Sequence, residues 1–232
     1  MRSTASNPAA ADRLRLEVPI ARVATEQLTV IHRGAIMSSR IDELDAIVRQ
    51  FDLNEHPFYV DWRAGTLPIE RLADYADEWA PFISVVDQGW DRIGYPAYAA
   101  EEREHDALWS RFRAALDASG QMSRPQSKTL LAVGEQAFAS VPETLGALYS
   151  FEVQQPKTAS SKLAGLREHY AGTVDADAQQ YFVEHAVETD EPAMLASMID
   201  GLSDGDFARA KTACAVFSAV AWGALDGVYY TD

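Results

Sequence analysis

Residues 99–109 read AAEEREHDALW, and their spacing is the key to the fold. Glu102 and His105 stand three apart, which on a helix places both side chains on one face. Two further stretches carry the same residue types in a helical setting. ALYSFEVQQP, residues 147–156, holds Glu152, and QQYFVEHAVETDEP, residues 179–192, holds His185. Carboxylates and imidazoles projecting inward from several helices are how metal sites are built in helical bundles. A two-metal bundle normally has two Glu-x-x-His pairs plus two more carboxylates. Here there is one pair. On a continuous helix the positions sharing a face with His185 are Thr189 and Pro192, and neither is a good ligand. Two histidines with one or two carboxylates match a single non-haem iron site with open positions. A lone Glu-x-x-His also occurs on solvated helix faces that bind nothing, so the pair is a weak motif on its own.

Working outward, punctuation divides the chain into helices. Residues 1–36 read as an N-terminal extension and 37–232 as one helical domain. Ser39 to Asp42 resembles a capping box, opening a helix with Ile41, Leu44, Ile47, Val48 and Phe51 on one stripe. A short helix FYVDWRA ends at Gly65. Thr66 and Pro68 begin a long helix to about Ile93, stopped by Gly94 and Pro96. Further helices are expected near 97–119, 126–139, 142–155, 157–171, 177–200 and 204–229, separated by Pro, Gly or Asp. No alternating strand pattern or internal repeat is present, and the fold class is all-α.

Composition narrows the function classes. The chain has 232 residues, 47% of them apolar and 24% charged, which suits one soluble domain with ample core. Its formal net charge of −15, without clustered Lys or Arg, argues against nucleic acid as a partner. Cys214 is the only cysteine, so neither an internal disulfide nor a thiolate zinc site is available, and the default address is cytoplasmic. The first 34 residues carry interspersed charges and no long apolar run, unlike a secretory signal or a membrane span.

Four segments in linked order carry a resemblance: HPFYVDWRAGTLPIERLADYADEW, ALYSFEVQQPKTASSKLAGLREHY, YFVEH and AWGALDGVYY. Over about residues 38–230 the chain resembles the haem-oxygenase-like bundle family that includes TenA, PqqC, UndA and CADD. Within that family it is most similar to the CADD type of self-sacrificing 4-aminobenzoate synthase. The resemblance implies an up-and-down bundle of about seven core helices, and a homodimer. It also implies iron ligands at Glu102, His105, Glu152 and His185, with Fe(II) as cofactor and one ion favoured over two. The family's remaining two ligands, an Asp and a His, align with Thr189 and Pro192. Glu102 is matched by Glu-x-x-His spacing, and Glu101 is its substitute. A bulge at Pro192, whose ring costs about 3 kcal/mol inside a regular helix, could bring Asp190 or Glu188 inward.

The same resemblance matches Tyr59 to the tyrosine from which CADD makes its aromatic product, and Lys162 to the lysine implicated as amino donor. On residue chemistry alone, a Tyr in an apolar helix is a core ring, and a Lys at such a position is solvated. His32, His56 and His169 read as background, the tryptophans as packing, and Cys214 as an inert core thiol. The last disfavours thiaminase-type chemistry. Three functions fit. The preferred one is an iron-dependent, oxygen-activating oxidase or oxygenase acting on a small amino-acid-derived or aromatic metabolite. The others are a cofactor-independent oxidase of PqqC type, and a non-catalytic relative that binds a ligand or partner.

Overall fold

The computed structural model describes residues 40–230, so the N-terminal extension and Ser39 of the expected capping box lie outside the described residues. Among the described residues there is no strand. Helix α1 covers residues 40–48 and runs into a 3-10 turn, Arg49–Phe51. Then come α2 (Pro57–Ala64), α3 (Ile69–Ile83), α4 (Val86–Arg92) and α5 (Pro96–Ala115). They are followed by α6 (Pro125–Ala137), α7 (Val141–Glu152), α8 (Gln155–His169), α9 (Gln180–His185), α10 (Asp190–Asp200) and α11 (Asp204–Tyr230). Seven of these, α3, α5, α6, α7, α8, α10 and α11, have eleven residues or more, in line with the expected bundle.

Local chemistry explains where the helices begin and end. His56 caps α2, its Nδ1 accepting from Phe58 N–H at 3.0 Å, with Pro57 at the first helical position where no N–H is needed. Gly65 closes α2 in the left-handed region (φ +67°), which suits a residue without Cβ. The single helix expected from Thr66 to Ile93 is two. Pro81 lies inside α3, and the Ser84 hydroxyl donates to the Pro81 carbonyl at 2.9 Å, so the backbone leaves the helix at Ser84 and Val85.

The helix expected over 177–200 is also two, α9 and α10, parted by residues 186–189. Pro192 sits in the first turn of α10, where N–H groups have no helical partner, so its ring starts a new helix without distorting an old one.

The core is rich in aromatics: Trp62, Trp79, Trp90, Trp109, Tyr75, Phe82, Phe112 and Phe182 are all buried. α11 packs chiefly on α7 and α6. The approach to α7 is close at Gly146, where a Cβ would lie 1.9 Å from the Ala210 carbonyl oxygen. α11 is the one helix among the described residues long and apolar enough to cross a membrane, but Ala210, Cys214, Phe217, Ala221 and Leu225 bury one side of it in the bundle.

Candidate metal centre

Four helices meet around a group of buried acids and imidazoles. Glu102 and His105 come from α5, Glu152 is the last residue of α7, His185 the last of α9, and Glu191 lies in the first turn of α10. Each is 4% exposed or less. Glu102, His105 and His185 bring one ligand atom each within 4.8 Å of one another, and Glu102, Glu152 and Glu191 do the same. Glu102 is common to both groups.

All four ligands expected from the resemblance therefore converge. Glu101 is exposed and turned away, and so is Asp190. Of the two acids a bulge was expected to turn inward, Glu188 does approach, its Oε1 3.7 Å from His105 Nε2 and its Oε2 3.9 Å from His185 Nε2, while the acid not expected from the sequence is Glu191. The i+4 and i+7 rule that selected Thr189 and Pro192 holds only along an unbroken helix. A break at 186–189 resets the register, leaving Thr189 exposed and turning Glu191 inward. Two acids followed by proline were the visible signal, since that pattern belongs to a helix's first turn.

The imidazoles are prepared differently. His185 Nδ1–H donates to the Tyr181 carbonyl at 2.8 Å, which leaves the Nε2 lone pair free. Burial, and then the charge of His105, push its pKa down to about 3, so it is neutral at physiological pH. His105 behaves in the opposite way. Burial lowers its pKa, but the Glu102 hydrogen bond (Nδ1 to Oε2, 3.3 Å) and the charges of Glu102, Glu188 and Glu184 outweigh that and raise it to about 9. Trp90 Nε1–H donates to Glu102 Oε1 at 3.3 Å, so one tryptophan read as packing also orients a carboxylate.

Glu152 is the anomaly. Neither of its carboxylate oxygens accepts from an N–H or hydroxyl donor, although the residue is 1% exposed, and the Glu191 carboxyl lies against it. Glu78, another buried acid, shows how such a group is normally satisfied: it accepts from Ser123 N–H at 2.9 Å, the Ser123 hydroxyl at 2.8 Å and Arg124 N–H. Burial, followed by the charges of Glu191 and Glu102, raises the Glu152 pKa well above the usual carboxylate range. Burial and the charge of Glu102 raise Glu191 likewise. Unpaired buried carboxylates of this kind are expensive unless a cation joins them. The donor set, neutral imidazole plus several carboxylates, fits ferrous iron.

Beside this cluster lies a second assembly. Tyr59, on α2, shares a hydrogen bond with Tyr75 at 2.9 Å between hydroxyl oxygens, and both rings are buried. Lys162 is not solvated, as its residue chemistry alone suggested. It is 4% exposed, and its Nζ lies 4.8 Å from the Tyr59 ring centroid and 5.3 Å from that of Phe182. Burial lowers its pKa to about 7, so much of it is free amine near neutrality. Tyr59, Tyr75, Lys162, Tyr181 and Thr158 line a cavity of only about 10 Å³, roughly one water. Tyr181 joins the two assemblies, its ring stacked on His185 with centroids 4.1 Å apart. His56 is the buried N-cap of α2, its Nε2 3.1 Å from Asp226 Oδ1. Cys214 is buried, and burial pushes its thiol up to about 12.

No family model matches the chain. A 4-aminobenzoate synthase from Chlamydia muridarum (strain MoPn / Nigg) is 28% identical over 174 residues, covering 62% of this chain and 70% of that protein. A 4-aminobenzoate synthase from Nitrosomonas europaea has the same identity over 174 residues, with the same 62% and 70% coverage. Among solved structures, a TenA homolog from Pseudomonas syringae pv. tomato str. DC3000 superposes with a TM-score of 0.68 at 14% identity, covering 84% of this chain and 92% of that one. A TenA homologue from P. horikoshii OT3 gives a TM-score of 0.62 at 16% identity, covering 84% and 98%. The chain is thus similar in sequence to 4-aminobenzoate synthases, and it has the haem-oxygenase-like helical fold of the TenA homologues.

Proposed function

We propose that the chain is a non-haem iron, oxygen-dependent oxidase that makes a 4-aminobenzoate-type product from its own Tyr59. The observation that carries the metal reading is buried Glu152, whose oxygens meet no N–H or hydroxyl donor and lie instead within reach of the carboxyls of Glu102 and Glu191. A metal-free reading gives no use to this group of buried carboxyls, which folding must otherwise hold protonated against their ordinary pKa, whereas a cation binds them in the ionised form. Glu102, His105, Glu152 and His185 would hold the ion, and Glu191 adds a carboxylate that makes room for a second one. When bound, iron supplies the capacity to reduce dioxygen.

The chain's own residues supply the rest. His185 offers a neutral Nε2, held in that tautomer by the Tyr181 carbonyl. Tyr75 holds the Tyr59 hydroxyl, and the packed rings of Trp62, Phe58 and Tyr75 keep water from it. Burial keeps Lys162 partly as a free amine over the Tyr59 ring, as an amino donor requires. The cavity supports an internal substrate, because a space of about 10 Å³ admits no separate aromatic metabolite. A cytoplasmic setting is proposed from the lone free cysteine and a homodimer from the resemblance, the latter testable by light scattering.

The test is iron loading without oxygen, followed by air and reductant. Elemental analysis should find iron in the wild-type chain and much less in His185→Ala. Intact and peptide mass spectrometry should then locate a mass loss at Tyr59 that Tyr59→Phe does not show. Full iron content in His185→Ala would remove the ligand assignment, and oxygen uptake without mass change would make the substrate an external one.

A further inference from the structure

The buried centre has an acidic side that reaches solvent. Side-chain exposure falls from 40% at Glu184 to 25% at Glu188 and 5% at His105, and then to 4% at Glu102. His105 Nε2 is the meeting point, 3.5 Å from Glu184 Oε2 and 3.7 Å from Glu188 Oε1. Glu188 stands in the break between α9 and α10, beside Val187, which is 76% exposed. Buried Trp90 and Tyr181 pack against Glu102 and His185. Beyond the row of acids lies buried Glu152, whose oxygens meet no N–H or hydroxyl donor.

We propose that Glu184 and Glu188 form the port by which a divalent cation enters the bundle, with Glu184 as an outer, transient ligand that is free again once the centre is filled. This rests on the metal reading above. A hydrated cation loses its water in stages along such a row, each lost water replaced by a carboxylate oxygen, so no stage leaves it bare in an apolar interior. Negative potential focused at the mouth also raises the encounter rate.

Stopped-flow mixing of the metal-free full-length chain with Co(II), followed by tryptophan fluorescence, tests this, with bound cobalt measured at equilibrium. Glu184→Gln should slow association roughly threefold or more and flatten its dependence on salt, while cobalt bound per chain at saturation stays at the wild-type value. Glu168→Gln, an acid 74% exposed and outside this row, controls for net charge and should associate at the wild-type rate. An unchanged rate in Glu184→Gln would overturn the port. Reduced cobalt at saturation would overturn it too, by making Glu184 a resident ligand. A wild-type chain that takes up no cobalt would instead remove the metal reading on which the port depends.

Discussion

Lys162 shows how much can turn on one residue's surroundings. Its folded pKa of about 7 lies below the ordinary lysine value of 10.5, so the unfolded chain binds the proton more readily. That linkage makes the native state lose stability as pH falls from about 10.5 to about 7, after which the effect is constant. Lys162→Met removes the burden while keeping much of the volume. Its unfolding free energy at pH 7–8 should exceed the wild-type value by on the order of a few kcal/mol, seen as a higher thermal midpoint, with the gap closing toward pH 10, as read by melts across that range. An equal pH slope in the variant would mean that the amine is not buried in solution. The position of Lys162 beside the Tyr59 ring was expected only from resemblance, because a lysine's spacing in sequence does not reveal whether its amine snorkels outward or packs on a ring.

Elements decide which acids count. On one helix over 177–200, Thr189 and Pro192 face the site, unless Pro192 makes the helix irregular. The chain instead stops α9 and starts α10, which brings Glu188 and Glu191 in while leaving Asp190 out. This arrangement makes a specific prediction for Pro192. Inside a continuous helix, replacing it by Ala would stabilise the protein by about 3 kcal/mol. In the first turn of α10, Pro192→Ala should change stability by less than about 1 kcal/mol, measured by urea unfolding. A large gain would favour the unbroken helix. Other boundaries, at Gly65, Gly94 and Pro96, were legible because each is a local backbone constraint.

Across the whole molecule, the acidic cluster ties stability to pH and to metal. Glu191 and Glu152 have folded pKa values raised above the ordinary 4.5, so the metal-free chain loses stability as pH rises past that value and the buried acids are driven to ionise. Divalent cation binds the ionised form. Added Fe(II) or Co(II) under anaerobic conditions should therefore raise the melting temperature more at pH 8 than at pH 5, as seen by differential scanning fluorimetry. In Glu152→Gln the metal-free chain should melt higher than wild type at pH 8, and the metal-induced gain should shrink. An equal cation effect at both pH values would mean the acids do not share an ion.

From the string of residues alone followed the all-helical class, most helix ends, the candidates Glu102, His105, Glu152 and His185, and the family likeness. These depend on local backbone preferences, on helical spacing and on ordered motifs, all written along the chain. Packing alone settled that those four side chains meet, that Glu191 joins them in place of Thr189 and Pro192, and that Lys162 faces Tyr59 in a cavity too small for another molecule. Such facts depend on where one helix stops relative to another and on which surfaces are sealed from water, and neither property belongs to any short stretch of sequence.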